Sequence, residues 1–260
     1  MRLGIGSYTY MWAIGFPGAC PEQPLSARGL IAKARQLGVG VVQFGPNLKF
    51  TLEDCQAARE QGLELEIGAV SLDLEERIAQ ARAAGASLLR TVLQEEGPLA
   101  IPLDRIEKEL RSLLPVLEEQ QVRLALENSI IPARQMRALL EKIGHPALGV
   151  TLDTANSLAI SEGWRQVLAE LAPFTLCVHV KDYEVRREWH RMGFRVEGRP
   201  AGQGQLDIPF LLDTLRQAGA RCNAILELWT PQQATLAETI VLEDRWAQES
   251  ISYLRTLIEE

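Results

Sequence analysis

Leu-Ala-Leu-Glu-Asn at 124–128, Gly-Val-Thr-Leu-Asp at 149–153, Thr-Leu-Cys-Val-His-Val-Lys-Asp at 175–182 and Ala-Ile-Leu-Glu-Leu-Trp at 224–229 share one shape. Each is an apolar run that ends in a side chain able to bind a metal: Glu127, Asp153, His179 and Glu227. A buried strand that ends in a carboxylate or an imidazole has carried a costly polar group to its tip. Four such strands in order, each followed by a helical pattern, describe the rim of a parallel barrel with a site at its mouth. The spacing is regular: 26 residues separate Glu127 from Asp153 and Asp153 from His179, one strand–helix unit each time.

The rhythm extends outward in both directions. After the strand at Val122–Leu126 the pattern predicts a helix over Pro132–Ile143. After Leu148–Leu152 it predicts one over Ser157–Leu171, and after Phe174–Val180 a long loop over Tyr183–Gln205. A helix over Ile208–Ala218, a strand over Cys222–Leu228 and a closing helix over Leu236–Ile258 complete this half. Toward the N-terminus, strands are expected at Leu3–Gly6, Gly40–Phe44, Leu63–Val70 and Ser87–Leu93. A helix over Leu25–Leu37 stops at Gly38, and one over Thr51–Gln61 stops at Gly62, with Thr51 as N-cap and Asp54 three residues on. Ser71 or Asp73 caps a helix ending at Ala84, and Leu103–Gln120 carries Pro102 near its first turn and a kinking Pro115 inside. Eight strand–helix units without a linker or composition break predict a single-domain α/β chain, a (β/α)8 TIM barrel over residues 1–260. The competing open doubly wound sheet lacks its Gly-x-Gly-x-x-Gly after the first strand.

Composition narrows the function classes. A chain with 47% hydrophobic and 23% charged residues can fill a full-sized core. A net charge of −7 argues against gripping a nucleic-acid backbone. No stretch approaches the roughly 20 apolar residues of a membrane span, and Met1–Tyr8 shows no long apolar signal region. The cysteines at 20, 55, 177 and 222 show no CxxC spacing, and two lie in apolar runs, which reads as a reducing, cytoplasmic setting.

Neighbouring strands of a barrel bring Glu127, Asp153, His179 and Glu227 together at its C-terminal mouth. Three carboxylates and one imidazole form a hard, oxygen-rich set suited to one divalent metal ion, with Mn²⁺ first and Mg²⁺, Co²⁺ or Zn²⁺ also compatible. The competing reading pairs each glutamate with Lys or Arg and makes His179 a satisfied core residue. Several segments together carry a resemblance: Leu-Gly-Ile-Gly-Ser-Tyr-Thr-Tyr at 3–10, Leu-Glu-Asn at 126–128, Leu-Asp-Thr-Ala-Asn at 152–156, Val-His-Val-Lys-Asp at 178–182, Gly-Gln-Gly-Gln-Leu-Asp at 202–207 and Leu-Glu-Leu at 226–228. The chain resembles the xylose-isomerase-like sugar phosphate isomerase/epimerase superfamily, which also contains the type IV apurinic endonucleases.

That resemblance implies a metal held by Glu127, Asp153, His179 and Glu227. It further implies an isomerase or epimerase of a ketose or keto-sugar, with Glu127 and Glu227 moving protons on opposite faces of a metal-stabilised enediolate. A lyase or decarboxylase acting on a 3-oxo sugar acid or 3-oxo glycoside uses the same chemistry. An endonuclease needs many histidines, and this chain has 3. A non-catalytic sugar-binding barrel is the remaining alternative. Two departures from the ketose 3-epimerase pattern bear on the choice: Asn156 stands where those enzymes carry a histidine, and no single loop arginine aligns with theirs.

Further substrate contacts are expected from Lys181, which strand alternation points the same way as His179, and from Asn156. Arg187 lies in the arginine-rich loop, Tyr8 and Trp12 follow the first strand, and Gln43, Arg90 and Trp229 sit at or just past strand ends. His145 lies in a turn at the opposite end. The expected partner is a small carbohydrate or sugar acid, with no nucleic acid and no membrane, and the resemblance makes a homodimer plausible.

Overall fold

A computed structural model of the protein describes residues 1–70, 74–93 and 102–258. The chain opens with β1 (Leu3–Gly6), a short helix α1 (Met11–Ile14) and α2 (Ala27–Leu37), followed by β2 (Val41–Phe44), α3 (Leu52–Glu60), β3 (Glu64–Val70) and α4 (Leu74–Ala84). Next come β4 (Leu88–Val92), α5 (Leu103–Gln120), β5 (Arg123–Glu127), α6 (Ala133–Ile143), β6 (Leu148–Asp153), α7 (Trp164–Leu171) and β7 (Thr175–Val180). A hairpin of β8 (Asp182–Arg187) and β9 (Phe194–Arg199) precedes α8 (Ile208–Gln217), β10 (Asn223–Leu226) and α9 (Leu236–Leu254).

Eight parallel strands close in the order β1-β10-β7-β6-β5-β4-β3-β2, and β1 pairs with both β2 and β10 to seal the ring. This is the TIM barrel. Helix α2 ends where glycine releases it: Gly38 takes a left-handed φ of 65°, a conformation that a Cβ would strain. Thr51 caps α3 as expected, accepting from the Asp54 amide while the Asp54 carboxylate accepts from the Thr51 amide.

Alternation along the strands makes two cores. Outward residues such as Val178, Val180, Leu124 and Leu126 pack under the helices. Val41, Leu88, Ala125, Cys177 and Ile225 form a separate apolar plug inside the barrel, all fully buried. Two residues beyond members of this plug come Arg90, Glu127, His179 and Glu227. The period of two therefore delivers these polar side chains to the barrel interior above the apolar plug.

The structure departs from the sequence reading in three places. The expected loop over 183–205 contains the antiparallel β8–β9 hairpin, with Val185 opposite Val196 and Glu184 opposite Glu197. Its charged residues mask the alternation that marks a strand. The expected helix over Ser157–Leu171 is a 3₁₀ turn at Asn156–Ile160 followed by α7, because Ser161 takes a left-handed φ of 62°. The closing helix stops at Leu254, before Ile258. Helix α5 spans Leu103–Gln120 with Pro115 inside it, as expected. Ser71 and Asp73, the expected caps of α4, lie outside the described residues.

Candidate metal centre and active site

Glu127 closes β5, Asp153 closes β6, His179 is the penultimate residue of β7, and Glu227 follows β10, its amide still donating to Val180 of β7 at 3.1 Å. The four converge. His179 Nδ1 lies 3.1 Å from Glu227 Oε1, 3.7 Å from Glu127 Oε1 and 3.8 Å from Asp153 Oδ2. One ligand atom from each of Glu127, Asp153 and His179 falls within 4.8 Å of the others. The His179 ring is fully buried, yet among the described residues neither of its nitrogens makes an aligned hydrogen bond, and Nδ1 only approaches the three carboxylates. Buried polar atoms are ordinarily satisfied, so an imidazole nitrogen left without a bond among three carboxylates fits a cation between them. An imidazole with oxygen donors is the chemistry of a divalent ion.

Second contacts hold the ligands in place. Asp153 Oδ1 accepts from the amides of Ala155 and Asn156, both at 2.8 Å, which leaves Oδ2 facing the cavity. Asn128 braces the Asp153 backbone, accepting its amide at 2.7 Å and donating to its carbonyl at 3.0 Å. Asn156 Nδ2 donates to Glu127 Oε1 at 2.7 Å.

Two permanent cations flank this cluster. Arg90 Nη1 pairs with Glu127 Oε2 at 3.0 Å. Lys181 Nζ lies 2.9 Å from both Asp153 Oδ2 and Glu227 Oε2. The ion pairs foreseen by the competing sequence reading are therefore present, whereas the satisfied histidine is not. Burial opposes ionisation of Glu127, but Arg90 and His179 outweigh it and hold its pKa below the usual value. Asp153 is likewise held well below its usual value, burial being overcome by Lys181 and His179. Burial would discharge His179 and Lys181. Nearby carboxylates reverse this, Glu227 and Glu127 lifting the His179 pKa to about 10 and Asp153 and Glu227 raising that of Lys181.

Above the ligands opens a cavity of about 450 Å³, lined by Tyr8, Arg90, Glu127, Asn156, Lys181, Glu227 and Trp229 together with the apolar Met11, Val70, Val92, Leu158, Ala159 and Leu228. A larger space of about 580 Å³ beside α3 and α4 carries no carboxylate, imidazole or thiol among the described residues that line it. The Lys181 ammonium sits 5.1 Å from the centre of the Trp229 ring, and the Arg90 guanidinium 5.6 Å from that of Tyr8.

Three nominated residues lie elsewhere. Gln43 sits one layer below, donating to Glu66 Oε2 at 2.9 Å. Trp12 turns away, its Nε1 donating to the Thr230 carbonyl at 2.9 Å. Arg187 stands on the hairpin, exposed, with its guanidinium 4.8 Å from the Phe194 ring centre. His145 pairs with Glu118 at 3.0 Å, away from the cavity. Sequence reasoning missed Glu66, a fully buried carboxyl that burial pushes up in pKa and that also accepts from Asn223. Its signal was a glutamate inside an apolar strand. It also missed the apolar wall of Val70, Val92, Leu158 and Ala159, because an apolar residue at a strand or turn end carries no mark of facing a cavity.

Comparison with known proteins agrees with this architecture. Residues 26–257 match the family described as Xylose isomerase-like TIM barrel. A 3-oxo-isoapionate decarboxylase from Pectobacterium atrosepticum is 30% identical over 98% of this chain and 96% of its own length. Among solved structures, a D-psicose 3-epimerase with D-tagatose from Clostridium cellulolyticum H10 superposes with a TM-score of 0.74 at 15% identity, covering 100% of both chains. A barrel protein from Mycobacterium smegmatis in complex with magnesium gives 0.67 at 15% identity over 97% of both chains. With nearly the whole chain matched by the family and by a relative at this identity, the protein belongs to the xylose isomerase-like TIM barrel family.

Proposed function

We propose that the protein is a divalent-metal-dependent lyase that removes carbon dioxide from a 3-oxo sugar acid. The observation that carries this reading is that both candidate proton-transfer glutamates are already locked to cations, Glu127 to Arg90 at 3.0 Å and Glu227 to Lys181 at 2.9 Å. Epimerisation needs one group to abstract a proton and another to return it. Loss of carbon dioxide needs no base. The bond to the carboxylate carbon breaks, its electron pair passes to the ketone oxygen, and the carbon left behind takes up one proton.

A divalent ion on Glu127, Asp153, His179 and Glu227 would supply an electrophile for the 3-oxo group. Lys181 holds a proton at Nζ within the cavity and delivers it to the new carbanionic carbon, to be replaced from solvent. Asn156, which donates to Glu127 and lies 3.4 Å from Lys181 Nζ through Oδ1, orients both neighbours without titrating. Trp229 and Tyr8 offer ring faces to the carbon skeleton. The similarity to a 3-oxo-isoapionate decarboxylase supports the same class of substrate.

Manganese-loaded protein incubated with a 3-oxo sugar acid in deuterated water should release carbon dioxide and yield a ketone carrying one solvent deuteron, and Lys181→Met should stop product formation. Absence of carbon dioxide from a panel of such acids would overturn the reading. The second reading is a metal-dependent ketose isomerase or epimerase, favoured by the approach of Glu127 and Glu227 to His179 from separate strands, at 3.7 and 3.1 Å. It requires substrate–solvent proton exchange on a neutral ketose, abolished in both Glu127→Gln and Glu227→Gln.

A further inference from the structure

We propose that Arg90 reads the charge of the substrate, so that the site takes a ligand bearing one net negative charge and discriminates against its neutral polyol counterpart. This deepens the decarboxylase reading by assigning the recognition of the acid to a residue. Arg90 is 2% exposed, yet it lines the cavity. A guanidinium carries five donors in a planar fork. Among the described residues one ion pair engages them, the 3.0 Å contact of Nη1 with Glu127 Oε2, and Nε is buried without a hydrogen-bond partner. The other side of the group lies against Gly68, where a Cβ would come within 3.0 Å of Nη2, and faces the Tyr8 ring. A buried arginine with more donors than its protein neighbours can satisfy leaves donors for an acceptor brought by the ligand.

The charge balance points the same way. Among the described residues that line the cavity or hold the ligand set, Glu127, Asp153 and Glu227 carry negative charge and Arg90 and Lys181 positive charge. With His179 neutral as a ligand, this leaves one negative charge in excess. A divalent ion converts that into one positive charge in excess, and a monoanionic ligand neutralises it. The ligand's charge is conserved through loss of carbon dioxide, residing first on the carboxylate and then on the enolate oxygen. Arg90 is thus complementary to the ligand along the whole path, and its removal should raise KM more than it lowers kcat.

The test is calorimetric binding to the manganese-loaded protein of threonate, an unreactive four-carbon sugar acid, against threitol, its neutral counterpart. The expected result is tighter binding of threonate by roughly tenfold or more, with the preference lost in Arg90→Met and partly kept in Arg90→Lys. Equal binding of both probes by the unaltered protein would overturn the proposal. So would a preference that persists in Arg90→Met, since the metal or Lys181 would then be reading the charge. Manganese content per chain is measured on each variant. If Arg90→Met does not fold or load metal, the comparison rests on Arg90→Lys, and an undiminished preference there refutes a role for the guanidinium fork. Failure of carbon dioxide release alongside an Arg90-dependent preference would remove the decarboxylase reading alone. Release of carbon dioxide without that preference would remove only the role of Arg90.

Discussion

At the scale of single residues, the candidate site gathers three carboxylates and an imidazole that could bind a metal ion. Asp153→Asn should bring the metal content of purified protein from about one divalent ion per chain to near zero, as elemental analysis would read, because Asp153 Oδ2 is the carboxylate atom left facing the cavity. Asn128→Ala should keep the fold and weaken metal affinity by roughly 10–100-fold, the usual effect of removing an outer-shell support. Competition against a chromogenic chelator would measure it, and an unchanged affinity would show that the Asp153 backbone needs no brace. The four candidate ligand positions stand out in the sequence because each ends an apolar run, and three of them, Glu127, Asp153 and His179, lie close enough together that they could hold one ion. Lys181 was legible through the period of two. The pairing of Arg90 with Glu127 was not, since it depends on the lateral register of β4 on β5, in which Arg90 stands opposite Ala125. Gln43 shows the same limit. It occupies a strand end in the sequence, but the stagger between strands sets it beside Cys177 and Glu66, one layer below the ligands.

At the scale of elements, two carboxylates act as fasteners. Asp182 opens the hairpin and accepts from the amides of Tyr183, Gly202, Gly204 and Leu206, so it clamps the segment that leads from the hairpin to α8. Gly204 admits no side chain there, because a Cβ would come within 2.2 Å of Asp182 Oδ1. Asp182→Ala would strand these amides and should cost on the order of 3 kcal/mol in urea unfolding. Glu243 of α9 accepts from the amides of Trp12 and Ala13, joining the last helix to the turn after β1. Burial pushes its pKa up from 4.5 to about 7. A carboxyl with a raised folded pKa binds its proton more tightly in the folded state. Its stabilising contribution is therefore full below about pH 4.5 and is lost as the pH rises through 7. Unfolding free energy measured across that window should fall by about 3 kcal/mol at most from this group, and Glu243→Gln should flatten the fall. The hairpin escaped the sequence reading because its two strands bury one face poorly. Phe194 and Val196 remain 62% and 44% exposed, so the usual contrast between apolar and polar positions is weak.

At the scale of the whole molecule, the barrel is a scaffold that stacks an apolar floor under a polar mouth. Because the candidate ligands come from four strand ends between Glu127 and Glu227, an ion bound there would tie β5, β6, β7 and β10 together. Manganese at about 100 times its dissociation constant should stabilise the folded chain by about 2.7 kcal/mol. Thermal melts should show a rise in Tm that is absent after chelation and absent in Asp153→Asn, and an equal rise in that variant would place the ion elsewhere. Among the described residues no helix is long and apolar enough to cross a membrane. The sequence by itself determined the repeating strand–helix units, the glycine stops, the Thr51 cap and which polar side chains end apolar strands. All of these depend on local periodicity or on a polar residue placed against an apolar background. Only the tertiary structure decided which cation faces which carboxylate, which strand-end residues reach the cavity and which stop beneath it, and that His179 Nδ1 faces three carboxylates at once. Those outcomes follow from strand stagger and ring closure, which place residues far apart in the chain side by side and leave no trace in the order of any one segment.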